Sequence, residues 1–377
     1  MGKSLWSKNY ILVVVSATVF YFISFMLNSV SARHGISMNG SGLITGVVVS
    51  GFTMASFFTR PLWGHICIKK GRKKVLMAGA LICVLASLMF IFTSGITIFI
   101  VARCIFGAGY SAVTTSGGTM VCDIAGEKYL SKAVSYYGIS SVVSQAMAPA
   151  AGLWLYEKSF TTLSVVIATG AALVWGTGLF IKYHEDRFIK PGEKFKLYEK
   201  QSLPAAYTII PFAMVTASVY AFIPVMAEER QLSYVGLFFA LSAAGLLVGR
   251  IFNTKICAIA GEKEVFYTGA VLLTAGLAMI AFAYNSVVFL FSAVCYGCGA
   301  GFVHPVANIR AVKNSPDRQR SIATGTFMMS QDLGMTVGAV LWGIISRTAS
   351  FTVVYVVASV IILVMMYVFH KFLSPIL

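Results

Sequence analysis

Long apolar runs separated by short polar breaks fill the whole chain. Twelve runs stand out, at roughly 9–31, 41–63, 75–95, 97–121, 130–155, 160–182, 203–226, 234–256, 264–284, 286–309, 321–345 and 350–373. Each has about the ~20 mainly apolar residues that an α-helix needs to cross hydrocarbon. Lipid offers the backbone no hydrogen-bond partner, so a run of this kind must satisfy its own peptide groups, and a helix does so. Many breaks are only a few residues long, which predicts antiparallel neighbours. The pattern therefore predicts an all-α membrane protein with twelve transmembrane helices.

Composition agrees and removes the soluble alternative. The 377 residues are 58% hydrophobic and 11% charged, with a mean hydropathy of +0.82, outside the range of ordinary soluble domains. A net charge of +16 suggests nucleic acid until the charges are placed. Most of the 29 lysines and arginines fall in breaks on the side that holds the N-terminus: Lys3 and Lys8, Arg60 to Lys74, Lys128 and Lys132, Lys182 to Lys200, Arg250 to Lys263, Arg310 to Arg320, and Lys371. The other side has only Arg33, Lys158, Arg230 and Arg347. This is the positive-inside pattern, so both termini are expected in the cytoplasm and the protein in the plasma or inner membrane, with anionic lipid rather than nucleic acid as a partner. The first run is too long for a signal peptide and no small-residue cleavage site follows it, so it is expected to stay as a helix. The seven cysteines sit in runs or at cytoplasmic ends, and no disulfide is expected. Cys295-x-x-Cys298 has no partner ligands nearby and reads as small-residue packing, so no metal site or cofactor is expected.

The chain repeats. Moved by 190 positions, Arg60 falls on Arg250, Ile66-Cys67 on Ile256-Cys257, Gly71 on Gly261, Lys73 on Lys263, Val75 on Val265 and Gly79-Ala80 on Gly269-Ala270. Two six-helix halves are expected, 1–182 and 203–377, joined by a charged cytoplasmic linker at 183–202 that is too short for a further domain.

Three local patterns carry chemistry. The first is Gly64-His65-Ile66-Cys67-Ile68-Lys69-Lys70-Gly71-Arg72-Lys73, a basic turn that follows Arg60-Pro61. It resembles the loop signature of the major facilitator superfamily, in which a Gly is followed by Asp-Arg/Lys-x-Gly-Arg-Arg/Lys. Ile68 stands where the family has its acid, so only the basic half of the family's inter-domain brace is carried over, on Lys69, Gly71, Arg72 and Lys73; Arg60, Gly64 and Arg250, the repeat counterpart of Arg60, are further inter-domain candidates. Asp123 is a candidate carboxylate for Arg72 or Arg60, against the plainer reading of a solvated interfacial Asp. The resemblance implies two six-helix bundles related by a pseudo-two-fold repeat.

The second is Arg103-Cys104-Ile105-Phe106-Gly107-Ala108-Gly109 inside the fourth run. A guanidinium there costs roughly 2.5–3.5 kcal/mol on insertion scales, so it must meet a wet cavity or a partner, or snorkel to the outer surface. The R-x-x-x-G-x-G pattern resembles the family's fourth-helix motif in proton-coupled members. In the second half Gly297 and Gly299 repeat the glycines, while Ala293 replaces the arginine. The third is Ser144-Gln145-Ala146-Met147-Ala148-Pro149-Ala150-Ala151-Gly152, similar to the Gly-Pro-x-x-Gly-Gly segment of the family's exporters at Pro149 and Gly152. It implies a seam on which helices rock, or merely close packing.

Other polar residues in the runs are candidates for a substrate or proton path. Asp332 lies midway along the eleventh run, in Ser330-Gln331-Asp332-Leu333-Gly334. Desolvation there is expected to raise its pKa toward the physiological range, making it the proton-carrier candidate beside Arg103, against an Asp that is only hydrogen-bonded or paired with a cation. The Asp-Leu-Gly-x-x-x-Gly segment is similar to that of small bacterial exporters that include opine metallophore exporters. Asn28 ends a stripe with Ser16, Phe20 and Ser24 that fits either a cavity wall or a helix contact. Tyr137, Ser141 and Gln145 share one side of the fifth run, His304 and Asn308 lie one turn apart around Pro305, and Gln331 and Tyr220 are further lining candidates.

The expectation is a secondary transporter, exporting a small metabolite or amphiphilic drug-like solute by proton antiport through alternating access. Small-molecule substrate, protons and membrane lipid are its partners, and a monomer is expected. No Gly-rich phosphate loop followed by Lys-Ser/Thr points to ATP, and no nucleophile and base pair points to an enzyme. The alternatives are a proton-coupled importer or facilitator of a small organic solute, a lipid flippase, and a non-transporting membrane receptor.

Overall fold

A computed structural model describes residues 5–39, 42–92, 95–182, 194–313 and 315–372. Residues 183–193 of the expected linker lie outside the described residues. Most of the described chain is helical: α1 (Lys8–Asn39), α2 (Gly42–Lys70), α3 (Arg72–Ile91), the stretch Ile96–Lys158, α6 (Phe160–Phe180), α7 (Leu203–Glu229), α8 (Val235–Ala260), α9 (Glu262–Ala281), α10 (Ser286–Lys313), α11 (Arg320–Thr348) and α12 (Phe351–Phe372). Ile96–Lys158 is two helices, α4 (96–125) and α5 (127–158), because Gly126 breaks the helical backbone at φ 62 and ψ −178. The described residues thus form twelve helices, as the apolar pattern predicts. Ten of the helical stretches are long and apolar enough to cross a membrane, the 63-residue one among them.

The chain divides into two compact units. Unit 1 holds Met1–Ala133, Val143–Glu199 and Ser315–Thr326; unit 2 holds Val134–Val142, Lys200–Asn314 and Phe327–Leu377. Unit 1 packs α3 on α6, α6 on α1, and α2 on α1 and α3. Unit 2 packs α9 on α12, α12 on α7, and α8 on α7 and α9. The pattern is the same one, repeated.

The repeat holds at atomic register. Gly71 and Gly261 adopt the same turn, φ 98 and ψ 151 against φ 89 and ψ 160. Each donates its N–H to the carbonyl four residues back, Cys67 at 3.1 Å and Cys257 at 3.0 Å. A side chain at positive φ is strained, which explains a glycine in both halves. A Cβ at Gly107 would overlap the Phe52 carbonyl, and one at Gly297 would overlap the Ser242 carbonyl. A Cβ at Gly109 would lie 2.8 Å from Gly79 O, and one at Gly299 would lie 2.6 Å from Gly269 O. Every one of these pairs is related by the same 190 positions. Lipid gives apolar surfaces no reason to leave it for one another, so helices in it associate through close fit, and glycine lets backbones approach.

Aromatic rings fill the remaining space. In unit 2, Phe266 stacks on Phe369 at 3.6 Å and Phe238 on Phe289 at 4.6 Å. The fully buried Trp342 donates its indole N–H to Met214 O at 2.6 Å. At one end of this unit Arg230, just beyond α7, donates to the carbonyls of Ile280, Ala281 and Ala283 and to Thr352 Oγ1, at 2.8–3.1 Å. A cation on the last carbonyls of α9 satisfies groups that the helix itself leaves open. Unit 1 closes the corresponding end with rings: His34 lies on Phe160 at 3.6 Å, with Phe90 and Phe99 around them.

Gly107→Val and Gly297→Val should each cut the yield of monodisperse protein after detergent extraction severalfold, whereas Gly176→Val, where a Cβ meets nothing within 4 Å, should leave it unchanged; fluorescence-detected size exclusion reads all three. Arg230→Ala removes four hydrogen bonds of a charged group and should cost about 3 kcal/mol or more, seen as a lower unfolding midpoint of the purified protein.

Candidate functional site

The basic turn after α2 builds a charged cluster inside unit 1. Gly71 turns the chain so that Arg72 opens α3 with its side chain wholly buried. Its Nε lies 2.8 Å from Asp123 Oδ2, both side chains at 0% exposure, and its Nη2 donates to Asp317 O at 3.0 Å. Arg320 comes within 3.5 Å of Asp123 Oδ1 and binds Asp317 Oδ1 at 2.7 Å. The Gly64 carbonyl accepts from Ser321 Oγ at 2.9 Å, and a Cβ on Gly64 would sit 3.2 Å from Ser321 O. Lys69 is exposed, and Ile68 is 1% exposed. Asp123 thus has Arg72 as a partner and is also shared with Arg320, a residue that the sequence did not single out. Spacing along the chain carries no signal for a contact between positions 123 and 320.

Unit 2 makes the matching joint with the charges exchanged. Glu262 occupies the repeat position of Arg72, and Lys313 that of Asp123. Glu262 pairs with Arg310 at 2.5 Å and with Lys313 at 3.6 Å. Helix ends carry partial charge, positive at the N-terminus and negative at the C-terminus. Glu262 in the first turn of α9 and Arg310 and Lys313 in the last turn of α10 therefore agree with their helices. Arg72 in the first turn of α3 and Asp123 near the end of α4 oppose theirs.

Deeper in unit 1, Arg103 is 1% exposed. Its Nη1 donates to Asn28 Oδ1 at 3.0 Å and its Nε to Val48 O at 3.4 Å, and the guanidinium lies 4.8 Å from the centre of the Phe52 ring. No carboxylate among the described residues pairs with it. Phe52 stands 5.1 Å from Tyr110, and Arg60, also buried, lies 5.9 Å from the Tyr110 ring and donates to Thr114 Oγ1 at 3.1 Å. The α1 stripe divides: Ser16 bonds Thr177 at 2.6 Å and Ser24 bonds its own helix, while Asn28 is half-buried beside Arg103. Gly152 lies against α1, where a Cβ would be 2.7 Å from Met26 O, and Ser29 Oγ reaches Pro149 O at 3.5 Å. Gln145 is half-buried.

In unit 2, Asp332 is half-buried rather than enclosed. Gly334 and Gly338 press α11 onto α7, each with a Cβ position within about 2.6 Å of the carbonyls of Ile210 and Met214, and at ~100° per residue Asp332 points away from that seam. One residue back, Gln331 Oε1 lies 3.3 Å from His304 Nε2, and Phe212 and Phe327 flank the imidazole. Asn308 is half-buried, and the exposed Tyr220 stacks on Phe239 at 6.1 Å. Arg250 lies on Gly138, where a Cβ would overlap its guanidinium. In the same short segment Tyr137 is buried and Ser141 turns its hydroxyl onto Gly138 O at 2.8 Å. The structure thus joins Arg103 to Asn28, Arg72 to Asp123, and His304 to Gln331, and it divides Tyr137 and Ser141 from Gln145 between the two units.

The family model of the Major Facilitator Superfamily matches residues 10–259 and 209–375. The chain belongs to this superfamily. It is thus a multi-pass membrane protein of a transporter family. Among its curated relatives are the Staphylopine export protein of Staphylococcus aureus, 22% identical over 97% of this chain and 96% of that one, and the Uncharacterized MFS-type transporter YhhS of Escherichia coli, 23% identical over 92% and 89%. Among solved structures, the human organic anion transporter MFSD10 superposes with a TM-score of 0.82 at 13% identity, covering 95% of this chain and 98% of that one. The transporter FucP in its outward conformation superposes at 0.77 and 12% identity, over 97% and 98%.

Removing one member of a buried ion pair leaves the other charge unmatched, at a cost of roughly 3–5 kcal/mol. Asp123→Asn should therefore lower the unfolding midpoint of the purified protein far more than Glu262→Gln, whose carboxylate is 18% exposed; equal losses would show that burial does not govern the two joints.

Proposed function

We propose that the protein is a secondary transporter of the plasma or inner membrane that exports a small metabolite or amphiphilic solute in exchange for protons. The observation that carries the reading is Asp332, a half-buried carboxylate midway along α11, next in sequence to Gln331, whose Oε1 lies 3.3 Å from His304 Nε2. A carboxylate within a spanning helix is costly unless it serves a path, and it can take up a proton on one side of a membrane and release it on the other. Arg103 in unit 1 gives the same process a fixed positive charge. Alternating access then needs two bundles that rock about a fixed site, as repeat-built transporters do. The likeness to the Staphylopine export protein along nearly the full length favours export over uptake.

In this reading both termini face the cytoplasm, where the basic residues gather, and a single chain performs the cycle. The Arg72–Asp123–Arg320 cluster fastens the cytoplasmic side in one state and parts in the other.

The test compares the solute content of cells and medium for the wild type and Asp332→Asn, with and without a protonophore, by untargeted mass spectrometry. The expected result is a solute that leaves the cell only with the wild type and only while the proton gradient stands. Equal export by Asp332→Asn would remove Asp332 from coupling, and accumulation inside the cell would reverse the direction.

A further inference from the structure

We propose that the solute carries a carboxylate next to a flat or apolar portion, with the carboxylate held by Arg103 and the apolar portion by the rings of Phe52 and Tyr110. This rests on the transporter reading above and adds the chemical class of the substrate.

Arg103 has no carboxylate partner among the described residues. Arg103 is always protonated in practice and is removed almost completely from water. Such a group is normally matched by an acid, because two charges taken from water together offset part of each other's desolvation. Among the described residues it has one amide oxygen, one backbone carbonyl and one ring face. All are neutral. Two of its five N–H groups are used by Asn28 and Val48, and Nη2 makes no hydrogen bond with any described residue. The guanidinium is thus fixed in orientation by its neighbours, retains its full charge, and keeps donors for a planar, two-oxygen acceptor, the geometry that a carboxylate supplies.

Its surroundings limit what else the ligand can be. Asn28, Phe52 and Tyr110 are half-buried, and they are the groups a ligand would meet first on its way to Arg103. Phe52 and Tyr110 are 5.1 Å apart and tilted by 58°, and Phe20 stacks behind Tyr110 at 5.8 Å. Stacked rings do not collapse onto one another further, so they form a firm platform for an apolar or ring-shaped group. Arg60 lies 5.9 Å from the centre of the Tyr110 ring and places a second cation beside the platform. An inorganic anion would use the arginine but gain nothing from the platform, and an amine would be repelled by both cations.

The repeat isolates this chemistry. At the equivalent position the second half has Ala293, fully buried within the apolar core of unit 2. The glycines four and six residues further on are retained in both halves, because packing needs them. Only the charged group is confined to one half, as a group that serves a ligand rather than the scaffold would be.

Phenylacetate serves as the probe, with phenylacetamide, 2-phenylethylamine and acetate as its matched partners, on the full chain purified in detergent without any gradient. Phenylacetate should raise the unfolding midpoint saturably in the wild type, while the amide and the amine should not. Acetate should bind more weakly. Arg103→Gln should weaken phenylacetate binding about tenfold or more, as loss of a charged hydrogen-bond donor does. Arg103→Lys should restore part of it, since an ammonium keeps the charge and loses the two-pronged geometry. Phe52→Leu should keep the preference for acid over amide while shrinking the advantage of phenylacetate over acetate. The proposal is overturned if the acid and the amide shift the wild type equally, if phenylacetate produces no shift, or if Arg103→Gln binds as the wild type does. Binding is read here without any gradient, whereas coupling is read by gradient-dependent export from cells, so a failure of proton coupling and a failure of this assignment are read separately.

Discussion

A helix in lipid has no hydrophobic reason to leave lipid for another helix, and the rest of this structure depends on how that constraint is met. The chain meets it with backbone approach. Gly107 and Gly109 let α4 sit directly on the carbonyls of α2 and α3, and Gly297 and Gly299 let α10 do the same on α8 and α9. At such distances a single added carbon has nowhere to go. The scaffold is consequently stiff where the glycines lie, and polar groups elsewhere on the same helices can be held in defined positions. Arg103 stands four residues before Gly107, one turn away, so its placement against Phe52 and Val48 follows from the same contact that fixes the helix.

Much of this was legible in the sequence. The apolar runs gave the twelve helices, because a helix in lipid must be long and apolar, and that demand leaves a one-dimensional trace. The shift of 190 positions marked the two turns at Gly71 and Gly261, because only glycine takes that backbone conformation without strain. Pairings between distant helices left a weaker trace. Asp123 could be matched to Arg72 or Arg60 because a carboxylate near a basic loop invites a partner, yet Arg320 was missed, since nothing in its neighbourhood differs from an ordinary basic break. The exchanged pair Glu262 and Lys313 was visible in principle, as both fall on charged positions of the first half under the same shift with their signs reversed.

The polar residues inside the runs divide along similar lines. Ser16 turned out to serve a helix contact and Ser24 to bond its own helix, which four-residue spacing alone does not distinguish from a cavity wall. Asn28, at the end of the same stripe, meets Arg103 instead. The exposure of Asp332 depends on which side of α11 faces α7, and that is fixed by Gly334 and Gly338, whose role emerges only with the partner helix in view. Single-residue chemistry could thus be named from the sequence, but its surroundings could not.

The exchange of signs between the two joints affects how each responds to water. Glu262 and its two cations would keep favourable partners in the ends of α9 and α10 even when hydrated, so wetting that joint loosens it gradually. Arg72 and Asp123 have no such reserve. Each sits at the helix end of its own sign, and their attraction is strong only while both remain at 0% exposure. The first water to enter weakens the pair and releases two charges that their own helices repel, which admits more water. One joint therefore yields by degrees, and the other holds to a threshold and then opens at once.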